Sequence, residues 1–246
     1  MGTHVAATAE DLSLDAARAF ARVTSEAVRA RDLCFVALSG GSTPRGLYRA
    51  LVESESLRSQ VAWDRIHFFW GDERHVPPDH ADSNYRMARE TLFASVPVAA
   101  EQVHRIRTEE SDAAVVARRY EEEIVATLPH DEAVPRFDLI LLGLGTDGHT
   151  ASLFPDTPAL AEQRRLCVDN WVERLHTHRI TMTFPLLNAA RTVLFMVSGQ
   201  DKAAIVRAVL RSTHPDREFP AQRVRPDGDL LWMLDRGAAS ALGDAT

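Results

Sequence analysis

The chain has 246 residues and a formal net charge of −7, from 28 Lys+Arg against 35 Asp+Glu, which excludes a globally basic protein built to coat nucleic acid. Apolar residues make up 45% and charged residues 26%, an ordinary globular balance, and this length can bury a substantial core without disulfides or a structural metal. No repeat, low-complexity block or Pro/Gly/Ser-rich linker divides residues 1–246, so one continuous domain is expected.

The N-terminal stretch MGTHVAATAEDLSLD has neither the basic nor the apolar segment of a signal peptide. No run approaches the roughly 20 apolar residues that cross a bilayer, and the expected address is cytoplasmic. A helix-period segment over 16–30 leads to the first apolar run, LCFVAL at 33–38. SGGSTP at 39–44 then feeds an amphipathic helix over 44–53. Glycines there permit positive φ and close backbone approach, Ser42 or Thr43 is placed to cap the helix, and Pro44 suits its first position. Such a turn directs amide groups and the positive end of a helix dipole at a phosphate, although a plain strand-to-helix turn uses the same residues. It is neither a Walker loop nor a GxGxxG fingerprint.

The second run, IHFFW at 66–70, precedes Gly71-Asp72-Glu73-Arg74-His75-Val76-Pro77, expected as a charged strand-end loop, either solvated or turned toward a polyhydroxylated ligand. Arg74 is its one group able to stabilise negative charge directly. Asp82 or Ser83 caps a helix over 83–93, and another helix is expected over 113–128. The third run, FDLILLGL at 137–144, ends in Gly145-Thr146-Asp147-Gly148-His149. His149, close to a strand end and two residues from Asp147, has the titration range for general acid–base chemistry and equally suits a structural or surface histidine. The chain has no GxSxG elbow, which weighs against Ser39 or Ser42 as a triad nucleophile.

Arg179, in His178-Arg179-Ile180-Thr181, offers a planar fork for phosphate. The run TVLFMV at 192–197 is followed by Ser198-Gly199-Gln200-Asp201-Lys202, and a helix is expected over 201–211 with Ala204, Ile205, Ala208 and Val209 as its apolar stripe. A lysine in a first turn is locally unfavourable unless an anion comes to it; an ordinary exposed lysine is the alternative. A last strand is expected over 230–234.

Strand then helix, repeated, with both alternate strand faces apolar, implies an α/β fold with a mostly parallel sheet covered on both sides. Its ligands bind beyond the carboxyl ends of the strands. Cys34 and Cys167 are expected as buried thiols in a reducing compartment, and Trp63, Trp70, Trp171 and Trp232 as core residues. The ten histidines show neither HExxH nor a Cys/His zinc spacing, so no metal is expected.

Taken in order, SGGSTP at 39–44, WGDER at 70–74 with SN at 83–84, LGLGTDGHTASLFP at 142–155, RIT at 179–181 and SGQDK at 198–202 resemble the 6-phosphogluconolactonase family, from about residue 12 to about residue 242. The resemblance implies the three-layer, Rossmann-like fold shared with glucosamine-6-phosphate deaminases. It also implies hydrolysis of 6-phospho-D-glucono-1,5-lactone to 6-phosphogluconate, the second step of the oxidative pentose phosphate pathway. The enzyme implied is a cytoplasmic monomer without cofactor or metal, and without a nucleic-acid or membrane partner.

By the same resemblance His149 is the catalytic base, Asp147 organises its turn and the substrate hydroxyls, and Arg74 lies near the reacting end. Arg179 and Lys202, with the backbone around Gly40, Gly41, Ser42 and Thr43, hold the 6-phosphate. The segment WVERLHTH at 171–178 departs from the family pattern, in which a shorter, proline-containing approach is common. Two rival readings remain. The deaminase motif continues DGHIAFNEP, with a glutamate where this chain has Phe154, and a phenyl ring cannot carry a proton. A non-catalytic sugar-phosphate sensor on the same fold normally carries a helix-turn-helix ahead of it, and only about 30 residues precede the first expected strand.

Overall fold

The computed structural model describes residues 2–130, 134–211 and 219–243. The first half of the chain contributes β1 (Gly2–Ala6), α1 (Ala9–Arg31), β2 (Cys34–Leu38), α2 (Ser42–Glu53), α3 (Glu55–Gln60), β3 (Ile66–Trp70), β4 (Asp72–Arg74), α4 (Asn84–Thr91) and α5 (Ala113–Thr127). The second half contributes β5 (Leu139–Leu142), β6 (Cys167–Val172), β7 (Thr177–Met182), α6 (Phe184–Ala189), β8 (Thr192–Val197), α7 (Ala203–Arg211), β9 (Asp229–Asp235) and α8 (Arg236–Ala239). Six strands form a parallel sheet in the order β1-β9-β8-β5-β2-β3. A smaller antiparallel sheet runs β4-β7-β6.

Every residue of β2, β5 and β8 is buried, as parallel strands covered on both faces require. Helix α1 supplies part of that cover through a stripe of Leu12, Ala16, Phe20, Val23 and Ala27. It begins at Ala9 rather than 16, because the Thr8 side chain accepts from Asp11 N at 3.1 Å and caps the start. In α7 the buried stripe is Ala203, Ile205, Val206 and Val209, and Ala204 is exposed. The larger β-branched side chains set the face, and alanine follows.

Both cysteines are buried and free, and Trp63, Trp70 and Trp232 lie in the core. Trp171 is instead 42% exposed on β6. One hydrophobic cluster runs from the large sheet into Cys167, Ile180 and Met182 of the small one. No helix among the described residues is long and apolar enough to cross a membrane.

The stretch after β3 is not a loop. Gly71 N donates to Leu38 O and Met182 N donates to Gly71 O, both at 2.9 Å, and this corner turns the chain into β4. Pairing there sets Asp72 opposite Thr181 and Arg74 opposite Arg179.

Candidate active site

The chain leaves β2 for β3 on one side and later enters β5 on the other, so the carboxyl ends of β2 and β5 frame a topological switch point. A cavity of about 210 Å³ opens there, bounded by Ser39 and Gly40 after β2, Gly143 and Gly145 after β5, Asp72 and Arg74 of β4, and by His149 and Lys202. Larger clefts lie along α1 and α3, about 840 Å³, and at the other end of the sheet, about 410 Å³. The first has no histidine in its lining, and in the second Arg31 and Arg191 already face Asp138, at 2.6 and 3.4 Å.

His149 is held by a tight turn. Gly145 N donates to His149 O and Gly148 N to Gly145 O, each at 2.9 Å. Within the turn, Asp147 Oδ1 accepts from His149 N at 3.2 Å and lies 2.5 Å from His149 Nδ1. Burial alone would raise the Asp147 carboxyl, but the hydrogen bonds and charge of His149, with the charge of Arg174, hold it at about 2. It is therefore a carboxylate at neutral pH and can only accept. The ring proton of neutral His149 sits on Nδ1, which leaves the Nε2 lone pair as the basic one.

Gly145 makes this possible, because a Cβ there would fall 2.0 Å from His149 Nδ1. Gly145→Ala should displace the ring and cost on the order of 10²-fold in kcat. The check is kcat beside a thermal melt, with a normal melt and a crippled rate expected.

The surrounding loops are cross-linked. Ser152 Oγ donates to Asp72 Oδ2 at 2.6 Å, Ser152 N donates to Thr181 Oγ1 at 3.1 Å, and Asn84 Nδ2 donates to Asp72 O at 2.9 Å. Glu73 is 2% exposed and takes Arg74 N, Asn84 N and Tyr85 N, all at 2.8 Å, so it organises the start of α4 and is not free for a polyhydroxylated ligand. Ser83 is the α4 cap, accepting from Arg86 N at 3.1 Å.

Three cations converge on this end of the sheet. Lys202 lines the cavity from a single 3₁₀ turn, Gln200–Lys202, and makes no ion pair among the described residues. It is also the sequence's one lysine. Arg74 lines the cavity as well; its NH1 donates to Asp82 O at 2.6 Å, while its Nε is buried without a partner among the described residues. Arg179 borders Arg74 rather than the cavity, and its Nε is likewise buried with no partner among the described residues. Burial, and after it the like charge of Arg74, pull the Arg179 guanidinium below its usual range. Adjacent arginines with unsatisfied donors are costly unless an anion joins them.

The helix after β2 adds to this potential in a form the residue types did not indicate. Neither Ser42 nor Thr43 caps α2; the cap is Gly41 at φ 101°, with no side-chain bond, and Ser42 and Thr43 form the first turn. Pro44 is consequently the third helical residue. A turn that only glycine readily adopts leaves the first amides without a side-chain acceptor. Tyr48 OH fixes the approach, donating to Ser39 O at 2.8 Å and accepting from Ser39 N at 3.2 Å. Gly40 lines the cavity itself; Gly41 and Ser42 are exposed and Thr43 is half-buried, and these three follow Gly40 in the chain without lining the cavity.

One contact was not foreseen. The segment 171–178 folds as the β6–β7 hairpin, turning through His176 at φ 45°, and its tip brings Arg174 NH2 to 2.5 Å from Asp147 Oδ2. The sequence signal was the departure of that segment from the family pattern, but pairing register alone decides where an arginine at a hairpin tip lands.

A model of the family described as glucosamine-6-phosphate isomerases/6-phosphogluconolactonase matches residues 7–232. The 6-phosphogluconolactonase of Synechocystis sp. is 43% identical over 223 residues, covering 90% of this chain and 89% of its own. The solved 6-phosphogluconolactonase of Trypanosoma brucei superposes with a TM-score of 0.87 at 30% identity, over 98% of each chain. A solved monomeric glucosamine-6-phosphate deaminase, 23% identical, shares the fold at a TM-score of 0.80, over 98% of this chain and 100% of that one.

Proposed function

The chain belongs to the glucosamine-6-phosphate isomerase/6-phosphogluconolactonase family as a 6-phosphogluconolactonase, a carboxylic ester hydrolase, and from this premise we propose that His149 activates the water that opens 6-phospho-D-glucono-1,5-lactone. The observation that carries the reading is that His149, paired with Asp147, lines a cavity with Lys202, which makes no ion pair among the described residues. The proposed reaction is the second step of the oxidative pentose phosphate pathway, run in the cytoplasm by a monomer made of one domain.

Nε2 of neutral His149 takes a proton as the water oxygen bonds to C1 of the lactone. The carbonyl oxygen becomes an oxyanion, for which we assign Arg74 as the stabilising charge. As the C1–O5 bond breaks, the imidazolium returns its proton to O5, and the acid product then ionises. No covalent intermediate on the protein is needed. Arg179, Lys202 and the amides of Gly40–Thr43 hold the 6-phosphate, which keeps C1 in register with the base. Asp147 fixes the ring's tautomer and, staying ionised, faces the imidazolium while it exists.

The choice against deamination rests on Phe154, whose ring stacks on His149 with centroids 4.1 Å apart. This position then offers no carboxyl for opening an amino-sugar ring. The purified protein should release acid from the phosphorylated lactone and no ammonia from glucosamine-6-phosphate. Stoichiometric fructose-6-phosphate from that amino sugar would overturn the assignment.

A further inference from the structure

We propose that Arg174, carried on the tip of the β6–β7 hairpin, is a positioning residue for the Asp147–His149 pair, fixing the carboxylate against the ring and limiting how firmly it holds a proton there. The inference deepens the reading of His149 as the base and rests on it. Four groups close a circuit. Asp147 Oδ1 meets His149 Nδ1 at 2.5 Å, and Asp147 Oδ2, its other oxygen, meets Arg174 NH2 at 2.5 Å. The Arg174 guanidinium lies 5.0 Å from the centroid of Phe154, and Phe154 stacks on His149 at 4.1 Å. Among the described residues Arg174 has no other partner, and it does not line the substrate cavity.

An ion pair whose arginine is 53% exposed contributes little to folding, so its consequence is sought in the carboxylate. Without Arg174 the carboxylate would be held at Oδ1 alone, by the ring and by His149 N, and its whole charge would favour the imidazolium. Catalysis asks for the reverse at both ends of the cycle: a neutral ring to accept from water, and an imidazolium that releases its proton to O5. A permanent cation on the second oxygen supplies both the fixed geometry and the weaker hold. The other charged groups around the ring are Asp72 and Arg74 from β4 and Lys202 across the cavity, with Asp156 and Glu173 on the far side of Asp147. None of them touches Asp147 Oδ2.

The test is the kcat–pH profile on the phosphorylated lactone for wild type, Arg174→Ala, Arg174→Gln and Arg174→Lys, with thermal melts alongside. Removing the cation favours the protonated ring, so the acid limb should move to higher pH in Arg174→Ala and Arg174→Gln, by roughly half a unit to one unit. Plateau kcat should fall about three- to tenfold from the looser carboxylate while KM stays near wild type. Arg174→Lys keeps the charge and should restore the limb. A limb at its wild-type position in a folded Arg174→Gln enzyme, with only the melt lowered, would show that Arg174 merely ties the hairpin down. His149→Ala separates the two claims. If it retains activity, the base assignment itself fails; if it is inactive while the Arg174→Gln limb is unmoved, the Arg174 inference alone fails.

Discussion

His149→Ala should lower kcat by about 10²-fold or more and leave KM nearly unchanged, because general-base catalysis typically contributes about 10²–10⁴-fold and the ring is not assigned to ground-state binding. The geometry behind this is specific. Asp147 occupies Nδ1, so Nε2 is the nitrogen left for water, and Gly145 leaves room for the ring. The pH dependence has a defined sign. Protonation on the acid side removes the lone pair, so kcat should rise with pH as the ring loses its proton and then level. Asp147 is held at about 2 by its partners against the effect of burial, and is therefore a carboxylate at neutral pH. A fully active alanine variant would remove His149 from the mechanism.

Arg179→Ala and Lys202→Ala should each weaken kcat/KM for the phosphorylated lactone by about tenfold to a few hundredfold, mainly through KM. Charge-assisted hydrogen bonds contribute roughly 1.5–3 kcal/mol each, and a phosphate remote from C1 is held alike in ground and transition states. The cations arrive from separate segments, Arg179 from β7 and Lys202 from the turn after β8, and the α2 amides without a side-chain cap make a third. Unphosphorylated δ-gluconolactone performs the same deletion from the substrate side. A cycle of two lactones with wild type and each variant therefore yields a coupling term that reports the contact directly. Adding Arg74→Ala tests the division of roles between the adjacent arginines. A charge serving the C1 oxyanion should depress both lactones equally, whereas one serving the phosphate should depress only the phosphorylated one. Wild-type preference for the phosphorylated lactone in both the Arg179 and Lys202 variants would place the anion elsewhere.

Five of the six strands of the large sheet were legible because they are apolar on both faces. The runs at 66–70 and 192–197 coincide with β3 and β8, and LCFVAL is β2 with one extra residue. The small sheet was not. β4 is three charged residues whose strand character comes wholly from pairing with β7, and β6 mixes Asp169 and Asn170 with apolar positions. β1 has one buried residue of five and exists through its pairing with β9. Candidate site residues on turns beyond apolar runs could be named for the same reason as those strands, since the end of the run points to them. Lys202 carried a further mark, being the one lysine among 28 basic residues. What local sequence did not reveal was adjacency across elements. Arg74 beside Arg179 follows from antiparallel register, and Arg174 on Asp147 follows from a hairpin reaching back over the β5 loop.

The central claim is that this chain hydrolyses a phosphorylated sugar lactone with His149 as its base. It is tested most directly by supplying freshly generated 6-phospho-D-glucono-1,5-lactone at constant pH and following acid release against the spontaneous rate, for wild type and His149→Ala side by side. Release should be proportional to wild-type enzyme and saturate with substrate, and the variant should give a rate close to the spontaneous one. Acid release no faster than the spontaneous rate with folded wild-type protein, or equal acceleration by both proteins, would contradict it.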